Sequence, residues 1–211
     1  MALPLVTVAG KIAASPTNNV IGQVNEQGST LTKPTTIASG GGSASISSLG
    51  VVSFTGVTSI SLNNCFSASS DIDEVIIDVP TTSANTSLNF VFRLAGADVT
   101  SANYDAQNTF ASAAAATVSQ NLAAAFWGLP GATTAFHFIR MTLAGAGLAR
   151  PTTGESRAVA TLNPMTAAAT TGTNHKGLLH RLSTAYDGLT ISASAGTITG
   201  TIRVIKVNQG S

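Results

Sequence analysis

The sequence predicts an all-β fold, an antiparallel β-sandwich of jelly-roll-like type carried behind an extended N-terminal arm. Three observations predict it. Apolar and polar residues alternate with period two in several short runs. Turn formers separate the runs at intervals of about 8–15 residues, the spacing of a sandwich. The first forty residues hold no aromatic side chain, so they cannot build a core of their own.

Within those forty residues, two short β-like runs, 5–8 and 19–24, lie among turn and coil formers. Residues 30–45 (TLTKPTTIASGGGSAS) read as a Thr/Pro/Gly/Ser linker. Residues 1–42 are therefore expected to be an extended docking arm with a Gly-rich linker, and residues 43–211 the β-sandwich domain. The arm can add to a partner's sheet edge or groove, or fold back on its own domain.

The sandwich strands follow in order. In residues 73–80 (DEVIIDVP), Val75, Ile77 and Val79 share one face and Glu74, Ile76 and Asp78 the other. In residues 87–95 (SLNFVFRLA), Leu88, Phe90, Phe92 and Leu94 are expected inward, and Asn89, Val91 and Arg93 outward. The polar stretch 81–86 between them predicts an antiparallel hairpin. Residues 135–143 (AFHFIRMTL) are apolar on both faces, as in a central strand covered on each side. Residues 155–162 alternate more weakly. Residues 188–192 and 196–207 predict a last hairpin joined through 193–195, with Ile198, Ile202 and Val204 on one face.

Residues 111–127 (ASAAAATVSQNLAAAFW) fit this scheme less directly. Their alanines favour helix, whereas Thr117 and Val118 are β-branched and no charge solvates a helical face. Helix, irregular strand and a packed loop at a subunit contact all remain open.

Composition narrows the function. Only 9% of the 211 residues are charged, against about 25% in an average soluble protein. A surface of Ser, Thr, Asn and Ala carries little repulsion and packs readily against other protein surfaces. Net charge is +1, and the ten basic residues are scattered without a run that could track a phosphate backbone. Nucleic-acid binding is not expected.

Mean hydropathy is +0.30, yet no apolar run approaches the ~20 residues of a spanning helix, so membrane insertion is not expected either. No basic residue precedes the apolar stretch in residues 1–14, and no signal peptide is read there. Cys65 is the only cysteine, which rules out an intrachain disulfide.

Catalytic motifs are missing. No G-x-S-x-G elbow and no Gly-rich loop with Lys is present, and Gly40-Gly41-Gly42-Ser43 reads as linker. His175 and His180 are five apart, which suits zinc on neither a helix nor a strand, and His137 lies in an apolar strand. Asp71, Asp73 and Glu74 form the densest acidic cluster, but without a calcium-loop pattern they read as a solvated strand start. No catalytic, cofactor-binding or metal-binding residue is assigned, no cofactor is expected, and the chain is not expected to be an enzyme.

Tyr104, Trp127 and Tyr186 are the aromatic platforms on which a sugar could stack. Each also reads as structural. Tyr186 looks like a strand-entry residue whose ring packs and whose hydroxyl caps backbone, and Trp127 like a loop anchor.

Three motifs carry a resemblance. They are Leu62-Asn63-Asn64-Cys65-Phe66, the strand from Leu88 to Asp98 followed by Tyr104, and Tyr186-Asp187-Gly188 through Arg203-Val204. Together they resemble the β-sandwich domain of minor tail, fibre and virion appendage proteins of tailed bacteriophages, over about three quarters of the chain, residues 46–211. The resemblance implies a virion protein and a homotrimer, and no functional residue is carried over from it.

The expectation is therefore a structural virion protein, a minor tail or fibre component anchored to other virion proteins by its N-terminal arm. Two alternatives accompany it. One is a module binding a host cell-surface glycan or protein, whose receptor-binding residues the sequence leaves unknown. The other is a capsid cement or head-decoration protein, distinguished by a copy number in the hundreds rather than the tens.

Overall fold

A computed structural model describes residues 29–69, 71–111, 116–133, 137–161 and 171–207, and among these there are strands and no helix. In chain order they are β1 (Ser29–Thr32), β2 (Thr36–Gly40), β3 (Ser43–Ile46), β4 (Val52–Val57), β5 (Ser59–Asn63), β6 (Ile72–Thr82), β7 (Thr86–Leu94) and β8 (Ala97–Asp98). Then follow β9 (Tyr104–Ala111), β10 (Ala116–Ala124), β11 (Trp127–Thr133), β12 (His137–Ala144), β13 (Thr152–Thr161), β14 (Thr171–His180), β15 (Gly188–Ala193) and β16 (Ile198–Val207).

They form two antiparallel sheets packed as a sandwich, the all-β class the alternation predicts. The larger runs β10-β9-β14-β13-β12-β6-β16-β4-β3, with β1 also on β16; the smaller runs β11-β7-β15-β5-β2, with β8 on β7. The predicted inward faces meet between them. Val75, Ile77, Val79, Ile202 and Val204 of the larger sheet oppose Leu88, Phe90, Phe92, Leu189 and Ile191 of the smaller, and all are essentially inaccessible. Burying each such side chain stabilises the fold by about 1.5–3 kcal/mol.

Both expected hairpins are corrected. β6 pairs with β12 and β16, whereas β7 pairs with β11 and β15, so these consecutive strands lie in opposite sheets. Likewise β15 pairs with β5 and β7, and β16 with β4 and β6. Period two fixes which face of a strand is apolar but not which strand lies beside it. A chain that crosses between the sheets brings two apolar faces together across the core.

The linker expected over residues 30–45 is also corrected. β1 lies along β16 with Leu31 opposite Ile205, β2 along β5 with Ile37 opposite Leu62, and β3 along β4 with Ala44 opposite Phe54. Gly41 and Gly42, at φ of 72° and 53°, supply the left-handed turn between β2 and β3. Residues 29–42 thus belong to the sandwich. The docking role expected of residues 1–28 lies outside the described residues.

Residues 116–124 form a strand rather than a helix, paired with β9 and irregular between Asn121 and Ala124. The other part of the alanine tract, residues 112–115, lies outside the described residues. Alanine's helix preference is a fraction of a kcal/mol per residue, and pairing with an existing strand outweighs it. β12 is central, between β6 and β13, but covered on one face only. Ile139, Met141 and Leu143 are buried, while Phe138 points outward and is 38% exposed. Leu94, expected inward, is 42% exposed because Ala95 and Gly96 take positive φ (50° and 81°) and turn the chain into β8.

Candidate functional site

The outer face of the larger sheet carries the site. Arg140 on β12 stands opposite Arg157 on β13, Arg157 opposite His175 on β14, and His175 opposite Thr109 on β9. Side chains at one register position of neighbouring strands share a face. These four therefore form one transverse row, and Arg203 on β16, across Ile76 on β6, continues it.

Two arginines directly opposite repel unless acids intervene. The acids are one row away, on either side of Thr142: Glu74 and Glu155. Glu74 accepts from Arg140 Nε, while Glu155 lies 3.3 Å from an Arg157 Nη and 3.1 Å from His175 Nε2. The contact with His175 and the charge of Arg157 hold the Glu155 carboxyl below its ordinary value. The basic side chains stay open to solvent, at 61% for Arg140, 71% for Arg157 and 55% for His175.

On the other side of the cationic row lie Phe138, Thr173 and Ala111, which follow one register position across β12, β13, β14 and β9. Between the two rows is an open cleft of about 480 Å³, lined by Phe138, Arg140, Arg157, Thr173, His175 and Thr109 among others. A flat exposed ring beside arginine donors can take a ligand with one apolar face and hydrogen-bonding or anionic substituents.

None of the three expected aromatic platforms is here. Tyr104, Trp127 and Tyr186 are at most 1% exposed, so no ring face is open to a sugar. They surround Phe92 inside the sandwich: Tyr186 stacks on it at 4.5 Å, and Trp127 meets it edge-on at 5.3 Å. Trp127 Nε1 donates to Asp105 O at 3.0 Å, and Tyr104 Oη donates to Val99 O and accepts from Phe92 N. Tyr186 packs as expected, but its hydroxyl meets His180 Nδ1 at 3.1 Å rather than backbone.

The histidines separate. His175 and His180 both lie on β14, and their odd spacing puts one on the exposed face and the other in the core. Burial and the neighbouring Arg181 hold His180 down to about 4, so it stays neutral at its hydrogen bond with Tyr186. His137 is buried at the start of β12. The acidic cluster is not a solvated strand start: Asp71 is exposed, but Asp73 is inaccessible because it shares the inward face of Val75, Ile77 and Val79, and Glu74 is only 8% exposed beside its ion-pair partner Arg140. Cys65 is buried, which pushes its thiol up and away from reactivity.

A second polar cluster is structural. The outward-facing Arg93 is covered by the β7–β8 turn and only 9% exposed. It donates to Asn63 Oδ1 (2.9 Å), Ser61 Oγ (3.1 Å), Thr190 Oγ1 (3.0 Å), Asp98 Oδ1 and Gly96 O. The Tyr186-Asp187-Gly188 motif is likewise a built corner. Asp187 O accepts from the backbone of Cys65 and Phe66, and a Cβ at Gly188 would come within 2.1 Å of Leu62 O.

Sequence reasoning missed the outer row because it exists only once β12, β13 and β14 are in register. A partial signal was present: Phe138, Arg140 and Arg157 all occupy outward positions of alternating runs.

No protein-family model and no curated protein matches the sequence. Among solved structures, the chain is similar to the carbohydrate recognition domain of Emp47p, at 11% identity and a TM-score of 0.30 over 89% of this chain and 98% of that one. It is also similar to the CBM2 module of the evolved Dit of Lactobacillus casei BL23 phage J-1, at 11% identity and 0.29 over 89% and 94%. A protein of unknown function from Shewanella oneidensis MR-1 follows at 12% and 0.22, over 92% and 86%. At these values function has to be argued from the residues of this chain.

Proposed function

We propose that the chain is a non-catalytic structural protein of a tailed-bacteriophage particle, a minor tail or fibre component located in the virion and assembled as a homotrimer. One observation carries this reading: the β9–β10 edge of the larger sheet. β10 is the outermost strand there, and its residues are exposed on both faces. From residue 106 to residue 139 the sequence has no Asp, Glu, Lys or Arg. Val118 is 69% exposed, Leu122 58% and Phe126 38%.

A sheet edge that must stay free in solution is normally guarded by charge, proline or a covering element. Here a nine-residue strand has no charge and no proline. Such an edge is a liability for a free monomer and a contact surface for an assembly part. The low overall charge and the resemblance of residues 46–211 to phage virion domains support the same reading.

Residues 1–28 are the docking segment in this account, since β1 and β2 belong to the sandwich. Removing residues 1–28 leaves the sandwich folded and abolishes incorporation into particles. Truncated protein that still co-purifies with particles overturns the docking role.

A second reading, recognition of a host surface glycan or protein, is favoured by the open cleft on the outer sheet face. The two readings are compatible: the cleft reaches Thr109 and Ala111 on β9, beside Val118 and Ala116 of β10, while Leu122 farther along β10 lies outside its lining.

A further inference from the structure

We propose that the cleft beside Phe138 binds an acidic polysaccharide, a chain of sugar rings bearing carboxylate groups. The inference rests on the receptor-recognition reading and is independent of the assembly reading.

The argument for charge is positional. Arg140, Arg157 and His175 line the cleft side by side, and the acids that hold them, Glu74 and Glu155, lie one row beyond them. Along the cleft-side row, from Phe138 through β13 to Thr173 and Ala111, no acid occurs; Asp78 on β6 is the first, beyond Phe138. Each guanidinium has five N–H donors, so one carboxylate neighbour does not exhaust it. The same neighbours restrain the arginines before any ligand arrives, which lowers the ordering cost of binding. A guanidinium fork matches a carboxylate in a two-point contact.

The argument for a sugar ring comes from Phe138. It is a large apolar side chain, 38% exposed, at the edge of the cationic row and within the same cleft. A pyranose offers it an apolar face while keeping substituents toward Arg157, Thr173 and His175. The cleft crosses four strands, about 14 Å at ~4.8 Å per strand, room for a short oligosaccharide rather than one sugar.

The test is calorimetric titration of the full chain with polygalacturonate oligomers, with their methyl esters, and with a glycerol-phosphate polymer that has charge but no sugar ring. The proposal expects binding of the uronate oligomers that weakens with added salt, at least tenfold weaker binding of the other two, and unchanged fluorescence of the buried Trp127. It expects Arg157→Gln and Phe138→Ala each to weaken uronate binding at least tenfold with unaltered thermal unfolding; both side chains are exposed.

Absence of uronate binding, equal binding of the ester or of the glycerol-phosphate polymer, or binding untouched by both substitutions would overturn it. Leu122→Gln, an exposed and uncharged change on the β10 edge outside the cleft lining, must leave uronate affinity unchanged. Loss of assembly in that variant with intact binding, or the reverse pattern in Arg157→Gln, tells the failure of one reading from that of the other.

Discussion

The Tyr186 hydroxyl and His180 Nδ1 share a hydrogen bond of 3.1 Å inside a shell formed by Phe92, Tyr104 and Trp127. The shell holds the imidazole neutral, because burial lowers the His180 pKa from 6.5 to about 4. In the unfolded chain the same group takes up its proton as pH falls through 6.5. Its contribution is therefore complete above about pH 6.5 and is lost progressively as pH falls to about 4, a decline on the order of 3 kcal/mol. Urea unfolding midpoints measured between pH 7.5 and 4 should fall accordingly. His180→Gln should be less stable at pH 7.5 and show a flatter profile; a wild-type profile flat over that range would contradict the buried neutral state.

Arg93 holds a different kind of centre. Its guanidinium is shared among Asn63, Ser61, Thr190 and Asp98 beneath the β7–β8 turn. Arg93→Ala strands the buried Ser61 and Thr190 hydroxyls while Asp98 stays exposed to water, a loss of about 1–3 kcal/mol. Chemical denaturation should show that loss. Arg203→Ala, on an exposed side chain of β16, should change stability by no more than about 0.5 kcal/mol.

Trp127 is the only tryptophan, 1% exposed and stacked on Phe90 at 5.4 Å. Native emission should be blue-shifted and resistant to iodide or acrylamide quenching. Trp127→Ala removes the largest core side chain and should cost about 3–5 kcal/mol, read from the thermal or urea transition. Strong quenching of the native protein would place the indole outside the core.

The β10 edge supplies the assembly prediction. Val118 and Leu122 are exposed on the same charge-free strand, so Val118→Lys combined with Leu122→Lys should leave the monomer fold intact and shift the oligomer toward monomer. Sedimentation velocity reads the change directly. A wild-type chain that is monomeric at high concentration removes the argument from the edge.

What the sequence made legible was local. The inward positions of β6, β7 and β16 follow from alternation alone, because neighbouring side chains on a strand point to opposite faces whatever lies beside the strand. Strand pairing was not legible: residues 81–86 look like a hairpin turn, yet they carry the chain from one sheet to the other, and a polar turn serves both geometries equally. Residues 30–45 read as linker because Thr, Ser and Gly are common in loops; they become β1, β2 and β3 because β16, β5 and β4 offer them paired edges. The outer cationic row was invisible for the same reason, since Arg140, Arg157 and His175 meet only through long-range register. The buried aromatic residues illustrate the converse. Tyr104, Trp127 and Tyr186 sit near turn signals, and nothing local says that three chain segments converge around Phe92.

The central claim, that this chain is a structural part of a virus particle, is tested most directly by immunogold electron microscopy and quantitative mass spectrometry of purified particles from cells expressing it. The account predicts that the chain co-purifies with particles at a fixed copy number, in the tens, with label confined to the tail or fibre region. Particles that lack the chain while it accumulates free in the lysate would contradict it.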